Sequence, residues 1–241
     1  MSTKEKRINK YLADRGLCSR REAETLIEKG WISVNGEVLT QLGYKVQPGD
    51  QVTVDDAAQD FLGQKMTVII HKPIGYVSAQ AEKDYIPAIR LITPENHYGE
   101  HPPRDLILNG LAPAGRLDID STGLLILTQN GKMAKHLIAP DSDVEKEYLV
   151  KVRGSVTQQT LTQLCHGLEL DGRKLKPANV TQVDHGQLKF ILTEGRKRQI
   201  RRMCELVDLQ VTALKRIRVG ELKLGPLPPG QWRLLKRNEK I

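Results

Sequence analysis

The sequence predicts an α+β protein of two units: a small helix-and-hairpin unit over residues 1–62 and a larger unit over 67–241 with a mixed, largely antiparallel sheet flanked by helices. Three observations carry that expectation. A length of 241 residues exceeds an average single domain and is ample for a buried core. The first sixty residues hold two helical patterns followed by a hairpin signal. From Thr67 onward strand and helix patterns mix without a regular βαβ rhythm.

In chain order, Ile8, Tyr11 and Leu12 fall at helical spacing, and Gly16 marks a stop. Ser19 and Glu22 form a capping-box pattern ahead of the apolar stripe Ala23, Leu26 and Ile27, and Gly30 ends that helix. Asn35-Gly36 between short apolar runs predicts a tight hairpin. The Pro48-Gly49-Asp50 turn then leads into a strand at Gln51 to Val54. In the larger unit VIIHK reads as a strand, and LLILTQNG as a strand running into an Asn130-Gly131 turn. EKEYLVKV and LKFILT read as further strands. SVTQQTLTQLCHG and RKRQIRRMCELV read as helices, the second with Ile200, Met203, Cys204 and Val207 on one stripe. Residues 81–113 hold five of the twelve prolines and are expected as a long, irregular, mobile insertion.

Composition narrows the function classes. Lys and Arg exceed Asp and Glu by 8, which makes nucleic acid the leading partner class, because these cations release counterions from phosphates. The low aromatic content counts against a platform of stacked bases. Three separated cysteines with no C-x-x-C pair argue against a disulfide framework and a zinc knuckle, and favour a reducing, cytoplasmic setting. No apolar run approaches membrane-spanning length, and the first residues lack the apolar region of a signal peptide, so no membrane partner is expected.

Charge placement is more specific than net charge. Arg20 and Arg21 sit at the positive end of a helix dipole, where cations are disfavoured by roughly 0.3–1 kcal/mol unless an anion docks there. Arg196, Lys197, Arg198, Arg201 and Arg202 crowd a second helix start and require a phosphate backbone, a buried carboxylate, or both nearby. A solvated helix end is the bland alternative for the first pair.

The order R-I-N-K-Y-L, C-S-R-R-E-A, V-N-G, P-G-D resembles the αL RNA-binding module of the type found in ribosomal small-subunit protein S-four. The remainder resembles the RNA pseudouridine synthases of the RsuA/RluB/RluE/RluF type, closest to RluF. Four blocks carry that likeness: HKPIGYVS (71–78), AGRLDIDSTGLLILTQNG (114–131), EKEYLV (145–150) and EGRKRQIRRM (194–203). The resemblance implies isomerisation of a uridine to pseudouridine in ribosomal RNA, with the large subunit foremost, and needs no cofactor and no metal. It implies three catalytic residues, Asp118 as the carboxylate, Tyr148 against the uracil with a part in proton transfer, and Arg201 paired with that carboxylate, with Ile200 packed on the base. Lys72, Pro73 and Arg116 would shape the substrate pocket. Arg7, Lys10, Arg20, Arg21, Arg196, Lys197, Arg198 and Arg202 would hold RNA. The expected partner is ribosomal RNA or a ribosome-assembly intermediate, with tRNA or small-subunit rRNA as the alternative substrate, and the expected state is a monomer. A carboxylate suits this chemistry, since it can attack, then leave again. A base must also be extruded from folded RNA to reach it.

Other readings of the same residues are weaker. DIDSTG resembles the opening of a calcium loop, but its twelfth position is Gln129. Asp118 and Asp120 could form a glycosidase-like pair, although one carboxylate suffices here and Asp120 reads as a turn or cap residue. His97 and His101 stand in a Pro-rich stretch, not on a helix, so no metal site is expected. Cys204 reads as core, and Cys165-His166 as structural. A non-catalytic ribosome-assembly factor remains the alternative from another class.

Overall fold

The computed structural model describes residues 5–63, 65–79, 84–103, 106–236 and 238–241. In the first unit β1 (Lys6–Arg7) leads into α1 (Ile8–Asp14) and α2 (Arg20–Glu28). Then come β2 (Ile32–Val34), β3 (Glu37–Val38), β4 (Lys45–Val46), β5 (Val52–Val54) and α3 (Asp56–Gly63). Ile8 and Leu12 of α1 meet Ala23, Leu26 and Ile27 of α2 in a core closed by Ile32, Val34, Leu39, Val46 and Ala58. Asn35 and Gly36 take φ of 53° and 85°, the left-handed pair that a two-residue hairpin demands. The strands pair antiparallel in the order β3-β2-β5.

The second unit begins with β6 (Thr67–Lys72), β7 (Tyr76–Val77), β8 (Ile86–Pro87), β9 (Ala112–Pro113) and β10 (Thr122–Thr128). α4 (Gly131–Ile138), β11 (Lys146–Arg153) and α5 (Gln158–Cys165) follow, then β12 (Glu169–Leu170), β13 (Arg173–Lys174), β14 (Asn179–Asp184) and β15 (Gln187–Leu192). The chain ends with α6 (Gln199–Glu205), β16 (Gln210–Val219), β17 (Leu222–Lys223) and β18 (Trp232–Leu234). Among the described residues nine strands form one sheet in the order β14-β15-β11-β16-β10-β6-β18, with β17 beside β16 and β9 beside β10. Within that sheet, among the described residues, only β10 and β16 run parallel. The sheet is therefore mixed and largely antiparallel, as expected. Among the described residues no helix is long and apolar enough to cross a membrane.

Two expectations fail, each for a tertiary reason. Residues 81–113 are not a loose insertion throughout: short 3-10 turns at Ala88–Leu91 and Pro94–Asn96 carry Ala88, Leu91 and Ile92 into a core with Val68, Ile70, Leu125, Leu127 and Trp232. Strands β6 and β10 are apolar on both faces, so they need a cover on each. Ile69, Leu124 and Ile126 are covered on one side with Leu137 of α4, and this segment covers the other. Residues 80–83 and 104–105 of the stretch lie outside the described residues.

Asn130-Gly131 is a helix start instead of a simple turn. Asn130 Oδ1 accepts from the N–H groups of Lys132 and Met133 and caps α4. Gly131 is needed because a Cβ there would lie 2.2 Å from the Ser19 Cβ. The starts of α2 and α4 thus abut, and the Glu22 carboxylate accepts from Ser19 N and Gly131 N while pairing with Lys65.

Candidate active site

The sheet register sets the site. Gly123 of β10 pairs with Lys72 of β6 on one side and with Arg216 of β16 on the other, and Arg216 pairs with Tyr148 of β11. Lys72, Gly123, Arg216 and Tyr148 therefore form one row across four strands. Gly123 (φ +114°) is the thin point of that row: a Cβ would stand 2.2 Å from the Arg216 carbonyl oxygen. Arg216, 4 % exposed, donates from Nε to Leu124 O at 2.8 Å and from Nη1 to Arg116 O at 3.4 Å. One guanidinium thereby closes the base of the loop that carries Asp118.

The rest of that loop is pinned almost residue by residue. Ser78 Oγ accepts from Leu117 N and donates to Leu117 O, both at 2.8 Å. Ser121 N donates to Asp118 O and Gly75 N donates to Ile119 O. Arg201 Nη2 donates to Asp120 O at 2.9 Å, and Thr122 Oγ1 donates to Lys72 O at 2.7 Å. Amid this, the half-buried Asp118 carboxylate has no ion pair or hydrogen bond among the described residues.

Arg201 does not pair with Asp118 as expected. Its buried guanidinium meets Asp120, with Nη2 at 3.2 Å from Oδ1, and Arg198 Nη1 adds a contact at 3.1 Å. Turn geometry decides this: the bond from Ser121 N to Asp118 O folds the chain so that both the carbonyl and the carboxylate of Asp120 meet α6. Asp120 stands in a turn, as expected, and is in addition an ionic anchor. Arg198, just before α6, adopts φ 53° and ψ 31°, a left-handed conformation that costs a non-glycine residue roughly 1–2 kcal/mol. Its reach to Asp120 accompanies that strain.

Lys72 is fully buried, and Nζ donates to Pro73 O at 3.0 Å and Tyr76 O at 2.8 Å. Burial pushes its pKa down to about 8, although the carboxylates of Asp118 and Asp120 oppose the shift. Lys146, on β11 two residues before Tyr148, is likewise held low, first by burial and then by Arg216 and Lys176. Arg216 Nη2 and Arg201 Nε are buried without partners among the described residues. Tyr148 is half-buried against the core cluster that contains Ile200. Ile200 is 5 % exposed and supports that cluster from within. Pro73 is half-buried and Arg116 exposed.

The expected RNA ligands separate into two groups. Arg7, Lys10, Arg20 and Arg21 are exposed, and the first three line a hollow of about 390 Å³ in the first unit. At the start of α2 the capping box takes the N–H groups of Ser19 and Glu22, while no hydrogen bond among the described residues uses those of Arg20 and Arg21. In the second group only Lys197 is exposed without an ionic partner among the described residues. Arg196 donates to three backbone carbonyls, Arg202 pairs with Asp171, and Arg198 with Asp120. Ser78, Asp120, Gly123 and Arg216 were missed as site residues. Ser78 and Gly123 lay within the recognisable blocks; nothing local marked Arg216.

A helix-and-hairpin module with a basic hollow is thus joined to a mixed sheet that fixes a carboxylate without an ionic partner among the described residues. Residues 66–206 match the family described as RNA pseudouridylate synthase, and residues 6–52 match the S4 domain. The dual-specificity RNA pseudouridine synthase RluF of Escherichia coli (strain K12) is 34 % identical over 243 residues, spanning 98 % of this chain and 77 % of that protein. The ribosomal large subunit pseudouridine synthase B of Bacillus subtilis (strain 168) is 34 % identical over 239 residues, spanning 97 % and 93 %. A crystal structure of a pseudouridylate synthase superposes with a TM-score of 0.67 at 25 % identity, over 96 % of both chains. The chain belongs to the RNA pseudouridylate synthase family and carries an S4 domain.

Proposed function

We propose that this enzyme isomerises a uridine of ribosomal RNA, most directly of the large subunit, with Asp118 as nucleophile. The single observation that carries the reading is the free Asp118 carboxylate on a loop whose carbonyls from Arg116 to Asp120 are all tied. Such a loop pre-organises one attacking group. Carboxylate attack on the nucleoside breaks the C–N glycosidic bond. The freed uracil turns, its C5 bonds to the sugar C1′, the carboxylate departs, and the C5 proton is lost. Tyr148 offers the extruded base a ring face, and Arg116, with the buried donors Arg201 Nε and Arg216 Nη2, offers polar contacts as the site engages RNA.

Ribosomal RNA is favoured by the likeness to the Bacillus large-subunit synthase. Free cysteines at Cys18, Cys165 and Cys204 support a reducing cytoplasm, and a monomer bound to rRNA or an assembly intermediate is the working state we propose. Carbodiimide mapping of pseudouridine in rRNA and tRNA tests this, comparing a deletion strain with strains restored by the wild type or by Asp118→Asn. One rRNA position should be lost and regained only with the wild type. Restoration by Asp118→Asn would overturn the nucleophile, and a loss confined to tRNA would overturn the substrate.

A further inference from the structure

The arginines crowded at the start of α6 are engaged inside the protein, and what they hold in place is another set of cations. Arg196 Nη1 donates to Leu170 O at 3.0 Å and Arg173 O at 3.2 Å, and its Nη2 donates to Lys174 O at 2.7 Å. These carbonyls belong to the β12–β13 hairpin, whose turn is Asp171-Gly172 with φ of 56° and 68°. Arg202 of α6 grips the same turn through both Asp171 carboxylate oxygens, at 2.9 and 2.7 Å. Glu194 accepts from Lys176 N at 3.1 Å and from Nε2 of Gln199 at 2.9 Å, with Gln199 itself 4 % exposed. The hairpin is thus bolted to the segment that precedes the active-site helix.

Its inward groups are carbonyls, and the side chains of Arg173, Lys174 and Lys176 are exposed. None of the three, nor Lys197 between Arg196 and Arg198 in the chain, has a carboxylate partner among the described residues. Asp171 is occupied by Arg202, and Glu169 is the hairpin's other acid. Two connections lead from this surface to the chemistry. Arg196 lies only two residues from Arg198, at most about 7 Å along the backbone, and Arg198 holds Asp120 beside Asp118. Lys176 stands close enough to Lys146, two residues before Tyr148, to depress its pKa.

We propose that the β12–β13 hairpin, through Arg173, Lys174 and Lys176 with Lys197, is a second RNA-docking surface that holds phosphates of the strand leading into the active site. It complements the S4 domain: the first unit grips RNA at a distance, and this surface fixes the backbone next to the reacting nucleotide. The inference rests on RNA being the substrate, and its specific content is which cations touch phosphate. Arg196 and Arg202 act by supporting them.

The test is binding of a fluorescent large-subunit rRNA transcript, and separately of bulk tRNA, over a salt titration. All proteins carry Asp118→Asn, so the result is readable whatever becomes of the nucleophile assignment. Arg173→Gln/Lys174→Gln/Lys176→Gln should bind roughly tenfold or more weakly at moderate salt, and lower the slope of log affinity against log salt by about 2. A comparison protein, Lys223→Gln/Lys236→Gln/Lys240→Gln, removes the same charge from β17 and the C-terminal segment and should keep the parent slope. Melting curves establish that both remain folded. An unchanged slope in the hairpin variant overturns the proposal, and so does an equal fall in the comparison protein, which would mean that net charge alone matters.

Discussion

Ser78→Ala removes one oxygen and should damage both stability and catalysis. That oxygen serves Leu117 twice, as acceptor for its N–H and donor to its carbonyl, and Ser78 and Leu117 are 5 % and 7 % exposed. Alanine leaves two buried backbone groups unpaired, at roughly 1–3 kcal/mol each. Partial relaxation of the loop reduces the sum, so about 2–4 kcal/mol is expected from urea unfolding. At about 2–4 °C per kcal/mol the melting temperature should fall by about 5–15 °C. Leu117 immediately precedes Asp118, and a shift of about 1 Å in a reacting group costs up to about a hundredfold in rate. Single-turnover kinetics at saturating RNA should therefore slow by about 10- to 100-fold, with RNA affinity little changed. Ser78→Thr, which keeps the hydroxyl, should recover most of both losses. A Ser78→Ala protein within about 0.5 kcal/mol of wild-type stability and of normal rate would refute the idea that this tether holds Asp118.

Gly123→Ala should be among the most damaging small substitutions in the chain, because its Cβ would meet the Arg216 backbone at 2.2–2.9 Å at a φ of +114°. A loss above about 3 kcal/mol in chemical unfolding is expected, and a loss below about 1 kcal/mol would show that β10 and β16 can separate freely. Lys72 should titrate near 8, against an ordinary 10.5, in NMR spectra of lysine-labelled protein. The sign follows from proton counts: between these values the folded lysine is neutral while the unfolded one still binds its proton. This residue's contribution to stability therefore rises with pH from about 8 to 10.5, and Lys72→Met should abolish that component. A midpoint for Lys72 above 10 would contradict the burial argument.

The pattern of residues determined more of the fold than of the site. Helical spacing and the capping box placed α1 and α2, Asn35-Gly36 placed the first hairpin, and the GRLD block announced the enzyme's family, because these signals are local and depend on backbone geometry or contiguous residues. The same local logic misread Asn130-Gly131. That glycine answers to Ser19, more than a hundred residues away, which only packing brings near.

Sequence likewise marked residues 81–113 as irregular by their prolines, but could not know that two-faced strands needed covering. Composition also signalled basic charge without dividing it between phosphate and structure. Tertiary contacts made that division: Arg196, Arg198, Arg201 and Arg202 satisfy carbonyls and carboxylates within the chain, while Arg173, Lys174 and Lys176 remain outward. The choice of Asp120 over Asp118 as the partner of Arg201 was decided in the same way. Two carboxylates two residues apart are equivalent to a reader of spacing. They differ once a turn aims one at α6 and the row Lys72–Gly123–Arg216–Tyr148 fixes where the loop carrying the other must stand.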